Sequence, residues 1–202
     1  MPNHCTNRLV IGGPAKDLRE LVELMKGESP FDFNKLDACP QELTDTSATM
    51  GEPTNEQKAN LEKYGHKDWY SWNCAHWGTK WNAYSQGPQP EVRQSATEKL
   101  AQAHGAVIEA EIEYGFDTAW SPPIPIIENL VQRFPTCRFT HDCIDEGGGF
   151  SAHIEWSGGN TEEADVCDER DGSEDVYGLS DWHERFRGEE EDEDEDEDED
   201  EE

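Results

Sequence analysis

Apolar and polar residues alternate along several stretches of this chain, and apolar residues recur every three or four positions in two others. Alternation places every second side chain on the same face, which predicts strands with one buried face. The clearest case is 106–116, where apolar residues alternate with three glutamates, so the face away from the core is expected to be acidic. The predicted strands span 4–12, 79–84, 106–116, 137–144 and 150–157. The acidic surface predicted on them consists of Glu109, Glu111, Glu113 and Glu155.

The helical period occurs in two main segments. Pro14 opens the first, and Gly27 is placed to close it in the left-handed conformation. Ser121 is predicted to cap the second, and Pro135 ends it. The predicted buried stripes are Leu18, Leu21, Val22 and Met25 in the first helix, and Ile127, Leu130, Val131 and Phe134 in the second.

A long polar insertion, residues 28–67, separates the first helix from the rest of the domain. An accessory helix in it is predicted to begin at a capping box formed by Thr54 and Gln57 and to end at Gly65. A short helix capped by Asp68 should follow and stop at Gly78, and the polar stretch 91–104 is also compatible with a helix.

The resulting order is β-α-β-β-α-β-β. Helices with one apolar stripe and strands with one apolar face bury both by forming two layers. We therefore predict an α+β, ferredoxin-like (split βαβ) antiparallel sheet with helices on one face, spanning residues 1–159.

Charge divides the 202-residue chain, which carries a net charge of −31, into a domain and an acidic C-terminal part. Residues 189–202 are all Asp or Glu, and such a run is predicted to be a disordered tail because it repels itself and has nothing to bury. Residues 160–188 are predicted to be an acidic linker with a short amphipathic helix at 180–187. The apolar face of that helix, which would anchor the tail either on this domain or in a partner's groove, carries Leu179, Trp182 and Phe186.

Targeting signals are not evident. No stretch reaches the roughly 18 consecutive apolar residues of a membrane span, and the N-terminus has no basic-then-apolar run. Six cysteines in a chain without an export signal are expected to be reduced thiols. A cytoplasmic location is therefore predicted.

Five sequence blocks, in the same order, resemble the YubB-type ferredoxin-like domain family carried by phages and conjugative plasmids. The blocks are "MPNHCTNRL", "FDFNKL", "HWGTKWNAY", "FDTAWSPPIPIIENL" and "GGGFSA". The resemblance implies a ferredoxin-like fold and a mobile-element origin, hence the cytoplasm of a bacterial host. It implies no activity.

The aromatic segment 74–84, "CAHWGTKWNAY", has two interpretations. Large rings at these spacings serve as core anchors, and on that interpretation Trp81 and Ala83 share a buried strand face. Alternatively, "GTKWN" and "DTAWSPP" rim a groove where strands end. The groove candidates are Trp77, Lys80, Trp81, Asn82, Tyr84, Asp117 and Trp120.

Other chemistry has weaker sequence support. Cys137, His141 and Cys143 alternate onto one strand face as candidate metal ligands, but they lack zinc-site spacing, and buried thiols are favoured instead. No nucleophile or phosphate-binding motif is present, and no cofactor is implied. Ferredoxin-like RNA-binding domains stack bases on aromatic rings, but a glutamate-lined face repels phosphates and disfavours direct nucleic-acid binding.

We therefore expect a non-enzymatic accessory protein that works through protein contacts. Its negative surface would occupy a basic host protein, such as a nuclease or defence factor, by imitating nucleic-acid charge. The alternative is a small-molecule or metal-dependent enzyme with its site between "GTKWN" and "DTAWSPP". A pocket enclosing Lys80, Asn82, Asp117 and Trp120 would favour the enzyme.

Overall fold

A computed structural model of the chain describes residues 3–92 and 107–167. Five strands and five helices occur within these residues, together with a 3-10 turn at Phe33–Lys35. The strands are β1 (His4–Pro14), β2 (Glu109–Ala119), β3 (Arg138–Asp145), β4 (Ser151–Ser157) and β5 (Asn160–Cys167). The helices are α1 (Ala15–Met25), α2 (Gln41–Thr44), α3 (Asn55–Tyr64), α4 (Trp69–His76) and α5 (Ile124–Arg133).

The described strands form one sheet in the order β2-β1-β3-β4-β5, and every neighbouring pair is antiparallel. Because β2 and β3 are both antiparallel to β1, they run parallel to each other with β1 between them. The helix α5 connects them, which makes a split βαβ unit. The predicted α+β, ferredoxin-like fold is confirmed.

The core lies between one face of this sheet and the helices. Strand β1 contributes Leu9 and Ile11, which are fully buried, and the predicted stripes of α1 and α5 pack against the same face. Burial of each such side chain stabilises the fold by about 1.5–3 kcal/mol. Gly13, near the end of β1, allows close packing, because a Cβ there would lie 2.9 Å from the Cys137 sulfur.

The insertion after α1 contributes more to the core than its polar composition indicates. Phe31, Phe33 and Leu43 are fully buried, and the Phe31 ring stacks on Phe116 of β2 with the ring centroids 4.9 Å apart. The polar sequence of 28–67 predicts a connection with one accessory helix, and neither α2 nor this packing follows from it.

Local capping signals are correct in the same region. Thr54 Oγ1 accepts a hydrogen bond from the Gln57 amide at 3.2 Å, and the Gln57 side chain accepts one from the Thr54 amide at 3.0 Å. Gly65 ends α3 with a φ of 75°, and Asp68 caps α4.

Two predicted helix boundaries are wrong. Gly27 is not left-handed, since α1 ends at Lys26 in an extended conformation. A Cβ at Gly27 would collide with the Asp32 carboxylate, so glycine provides space there instead of a turn. Ser121 does not cap α5, because its hydroxyl donates to the Gly78 carbonyl at 2.6 Å and the helix begins only after Pro123.

Two strand predictions also need correction. Residues 79–84 form no strand but a loop with a single bridge, between Tyr84 and Asp117. The charge pattern predicts that the domain ends at 159, whereas β5 pairs with β4 beyond that point, so 160–167 belongs to the sheet and not to a linker. The stretch 91–104 lies almost entirely outside the described residues, and 180–187 and 189–202 lie wholly outside them.

Candidate functional site

The sheet face away from the helices carries carboxylates. Glu109, Glu111 and Glu113 alternate along the edge strand β2, and all three are exposed. Alternate residues of a strand lie about 6.8 Å apart, so these groups form a row about 14 Å long. The register carries the same face from Glu113 through β1 and β3 to Glu155 of β4. The acidic surface, Glu109, Glu111, Glu113 and Glu155, therefore lies on the open face of the sheet.

Arg8 and His153 link carboxylates across the middle of this face. Arg8 Nε and Nη2 donate to Glu113 Oε2 at 3.0 and 2.8 Å, and Arg8 Nη1 lies 3.6 Å from Asp142 Oδ2. His153 Nδ1 lies 2.6 Å from the other Asp142 oxygen, and its Nε2 lies 3.4 Å from Glu155. Ionic contacts thus run continuously from β2 to β4.

The net charge of this chain of contacts, from Glu113 to Glu155, stays negative. Burial favours the neutral form of His153, but the hydrogen bond to Asp142 and the charges of Asp142 and Glu155 outweigh it, so the pKa of His153 is raised above its usual value. Even with His153 protonated, the three carboxylates of this chain of contacts, those of Glu113, Asp142 and Glu155, outnumber its two cations.

Residues 79–84 are fixed against the C-terminal end of β2 at two points. Thr79 Oγ1 donates to the Ala119 carbonyl at 2.8 Å, and the backbones of Tyr84 and Asp117 exchange hydrogen bonds of 2.8 and 3.1 Å. The residues between these points form a loop, which places Lys80 and Trp81 toward solvent.

Lys80, Trp81 and Trp120 form a layered cluster at this end of the sheet. The Lys80 ammonium nitrogen lies 3.9 Å from the Trp81 ring centroid and 3.8 Å from the Trp120 ring centroid. The two indoles are 41% and 46% exposed. The exposed Tyr70 ring meets Trp120 edge-on, with the centroids 6.5 Å apart. We call the space between the Trp81 and Trp120 rings the tryptophan slot.

The backbone of Trp120 has a φ of 73°, which is rare for a bulky residue. Hydrogen bonds around it hold this conformation. The Trp120 amide donates to the Asn3 carbonyl at 3.0 Å, and the next residue, Ser121, is anchored to Gly78, itself at a φ of 80°. This held backbone conformation sets the direction of the Cα–Cβ bond from which the exposed ring extends.

A cluster of hydrogen-bonded polar side chains lies beneath the slot. The Tyr84 hydroxyl is 2.9 Å from His4 Nδ1 and donates to the Thr118 carbonyl at 3.2 Å. Thr6 Oγ1 donates to the buried Asp117 carboxylate at 2.7 Å, and His4 Nδ1 lies 3.9 Å from the other Asp117 oxygen. These groups hydrogen-bond one another and fix the strand ends that carry the slot.

The seven groove candidates therefore do not line one groove. Trp77 is buried and its indole N–H donates to the Asp37 carbonyl at 2.8 Å, so Trp77 belongs to the core. Asn82 faces the insertion, where its Oδ1 accepts from the Phe33 amide and its Nδ2 donates to Asp32. The groove prediction is therefore wrong for Trp77 and Asn82, and the core assignment of Trp81 is wrong because its ring is 41% exposed. The candidates that the structure brings together are Lys80, Trp81, Tyr84, Asp117 and Trp120.

The three metal candidates are buried in the core. Cys137, His141 and Cys143 are each no more than 1% exposed, and burial raises the pKa of the Cys137 thiol. Among residues 3–92 and 107–167, no group of three or more His, Cys, Asp or Glu side chains is positioned to hold a metal ion.

The residues predicted for the open face do not include its basic members, Arg8 and His153, or their partner Asp142. The alternation that predicted the exposed glutamates could have identified them, because each lies on the face of its strand opposite the buried apolar side chains. Tyr70 is also not among the predicted residues. The anchor candidates Leu179, Trp182 and Phe186 lie outside the described residues. In the described part of the chain, no helix is both long and apolar enough to cross a bilayer.

Comparison with known proteins identifies a family match. Residues 97–202 match the family described as "Ferredoxin-like domain in Api92-like protein". No curated protein matches the chain. One solved structure that the chain resembles is a protein api92 from Yersinia pseudotuberculosis, with 8% sequence identity and a TM-score of 0.49. The similarity covers 83% of this chain and 98% of that one.

Proposed function

The chain belongs to the family of ferredoxin-like domains in Api92-like proteins, and we propose that it is a non-enzymatic binding module whose acidic surface contacts a basic protein. In this role it imitates the charge of nucleic acid and occupies a groove that would otherwise hold DNA or RNA. A mobile-element accessory protein directed at a host nuclease or defence factor fits this role.

The observation that carries the proposal is the row of exposed glutamates on an open sheet face. No helix in the described part of the chain packs on that face, and Arg8 and His153 offset the carboxylates only in part. Complementary charge accelerates association and makes it sensitive to salt.

Charge density indicates that the acidic surface does not act alone. Duplex DNA carries one negative charge per about 1.7 Å of axis, whereas the β2 row carries one per about 6.8 Å. The fourteen consecutive acids of 189–202 supply the additional charge. We therefore propose that the tail and the sheet face act together on the partner.

The alternatives gain less support. On the described strands no Phe, Tyr or Trp ring lies on the open face, so a base-stacking sheet of the RNA-recognition type is disfavoured. An enzyme site between "GTKWN" and "DTAWSPP" would need Asn82 to face Lys80 and Asp117, but Asn82 binds Asp32 and Phe33 instead.

Affinity capture with charge variants tests the proposal. The full chain is immobilised, exposed to lysate of its source cells, and washed at about 0.01 M or about 1 M salt, where the Debye length is about 30 Å or 3 Å. We expect nucleic-acid-binding proteins to be retained at low salt, and to be displaced by added duplex DNA. Retention should fall in the triple variant Glu109→Gln, Glu111→Gln, Glu113→Gln, and on deletion of 189–202.

The matched control is the triple variant Glu20→Gln, Glu23→Gln, Glu128→Gln, which removes the same charge from exposed positions on α1 and α5, on the opposite side of the sheet. It should retain the same proteins as the unmodified chain. Equal losses in both triple variants would show that only net charge matters, and direct capture of DNA by the purified chain would contradict the proposal outright.

A further inference from the structure

The tryptophan slot holds a cation that belongs to the protein itself. The Lys80 ammonium lies over both indole faces, at 3.9 Å from Trp81 and 3.8 Å from Trp120. Indole is the most favourable aromatic face for a cation. The slot is therefore a preformed site for positive charge.

This placement of Lys80 contrasts with that of Arg8 and Lys63. Arg8 and Lys63 each pair with a carboxylate at 2.8 Å. Lys80 forms no ion pair within the described ranges, in a chain whose net charge is −31. Its position is thus set by the rings and not by a nearby acid.

The rings are also exposed, and hydrogen bonds fix the backbone that carries them. Exposed tryptophans are costly to leave in water, and here two of them, with the exposed Tyr70 beside them, gather around one charge. Trp120 adopts its strained φ of 73° in presenting its ring, and such strain concentrates at binding sites. Tryptophan is also among the residues enriched at the energetic centres of protein interfaces.

We propose that the tryptophan slot receives a basic side chain, lysine or arginine, from the partner protein, and that Lys80 is a built-in occupant that leaves when this side chain enters. The identity of the partner as a basic protein rests on the proposed function. Charge complementarity supports a cationic occupant, because the slot already selects an ammonium group.

Occupancy by Lys80 has a measurable consequence. If the slot is free for only a fraction of the time, its apparent affinity for an added cation is the intrinsic affinity multiplied by that fraction. If Lys80 fills the slot about nine-tenths of the time, removing it tightens binding about tenfold. A merely structural Lys80 would leave the binding of an added cation unchanged.

Titration with tetramethylammonium chloride tests this in the full chain without any partner. The readout is the NMR signals of the Trp81 and Trp120 indole N–H groups, assigned with Trp81→Phe and Trp120→Phe and followed at constant ionic strength. We expect saturable shifts of both signals, with a Kd about tenfold lower in Lys80→Ala than in the unmodified chain. Lys58→Ala, which removes an exposed lysine of α3, should bind like the unmodified chain.

Further arms make the result decisive. tert-Butanol, a neutral molecule of similar shape, should not shift the signals, and Trp120→Gly should abolish binding. The proposal would be overturned by an equal response to tert-butanol or by equal Kd values with and without Lys80. It would also be overturned if oligo(dT) caused stronger shifts than tetramethylammonium, a result that would favour base stacking. Since this titration involves no acidic-surface partner, the slot and the proposed function can fail independently.

Discussion

His141 should make the stability of this protein acid-sensitive. The side chain is fully buried in β3, and its Nε2 lies 3.0 Å from Asn7 Oδ1. Its Nδ1 has no hydrogen-bond partner among the described residues. Protonation would place an N–H group without an acceptor in the core, so burial, reinforced by the nearby charge of His153, lowers the pKa of His141 to about 3.

The sign of the effect follows from which state binds the proton first. The unfolded chain protonates this histidine near its ordinary pKa of about 6.5, well before the folded protein does. The stability that depends on neutral His141 is therefore complete above about pH 6.5 and is lost progressively down to about pH 3. At 1.36 kcal/mol per pKa unit, the loss between about pH 7 and about pH 4.5 is about 2.5 kcal/mol.

His141→Gln isolates this contribution, because glutamine keeps a donor for Asn7 and does not titrate. Urea unfolding gives the free energy of unfolding at both pH values for the unmodified chain and the variant. We expect the unmodified chain to lose about 2.5 kcal/mol more on acidification than His141→Gln does. His66→Gln, at a partly exposed site, controls for removal of a histidine.

The comparison cancels the many carboxylates, which titrate in both proteins. It also cancels the opposite contribution of His153, whose raised pKa stabilises the folded state on protonation. Parallel pH dependences for the unmodified chain and His141→Gln would refute the reasoning, since they would mean that His141 is either hydrated or already protonated in the fold.

Two further substitutions test the left-handed backbone at Gly78 and the N-terminal cap of α3. Gly78→Ala should lower the free energy of unfolding by about 1–3 kcal/mol, because a φ of 80° strains alanine. A steric clash should add to this loss, because the new Cβ would lie 2.7 Å from Pro125 Cδ. Gly51→Ala, at a φ of 102° with open space around the Cβ, should show the strain alone, and equal losses at both positions in urea unfolding would exclude the clash. Thr54→Ala should cost about 1 kcal/mol by removing the α3 capping box, and an unchanged midpoint of thermal unfolding would contradict that assignment.

Structural features that depend on only a few neighbouring residues, such as strand faces and helix caps, could be predicted from the sequence. The alternation at Glu109, Glu111 and Glu113 predicted which face of β2 is exposed, because burial of one face fixes the pattern. The capping residues Thr54 and Asp68 were predicted because a cap bonds only to the next turn.

The tryptophan slot could not be predicted in the same way, because it depends on contacts between residues about forty positions apart. Thr79 bonds to Ala119, and Ser121 bonds to Gly78, and these contacts convert an expected strand into a loop. Nothing in the local sequence marks Trp120 for a left-handed backbone, which normally favours glycine or asparagine. The turn of Asn82 away from Lys80 likewise depends on Asp32 and Phe33 of the distant insertion.

The acidic surface and the tryptophan slot lie toward opposite ends of the same strand. Trp120 directly follows β2 and lies seven positions after Glu113, a distance of about 24 Å, and eleven positions after Glu109, about 37 Å. A standard protein interface buries about 800 Å² per partner, which corresponds to a disc about 32 Å across. One basic protein of ordinary size can therefore cover the slot and the Glu113 end of the acidic surface, with the glutamates beyond its edge steering its approach and the slot fixing its register. Because the two features share no residues and are well separated, their contributions to binding should be independent.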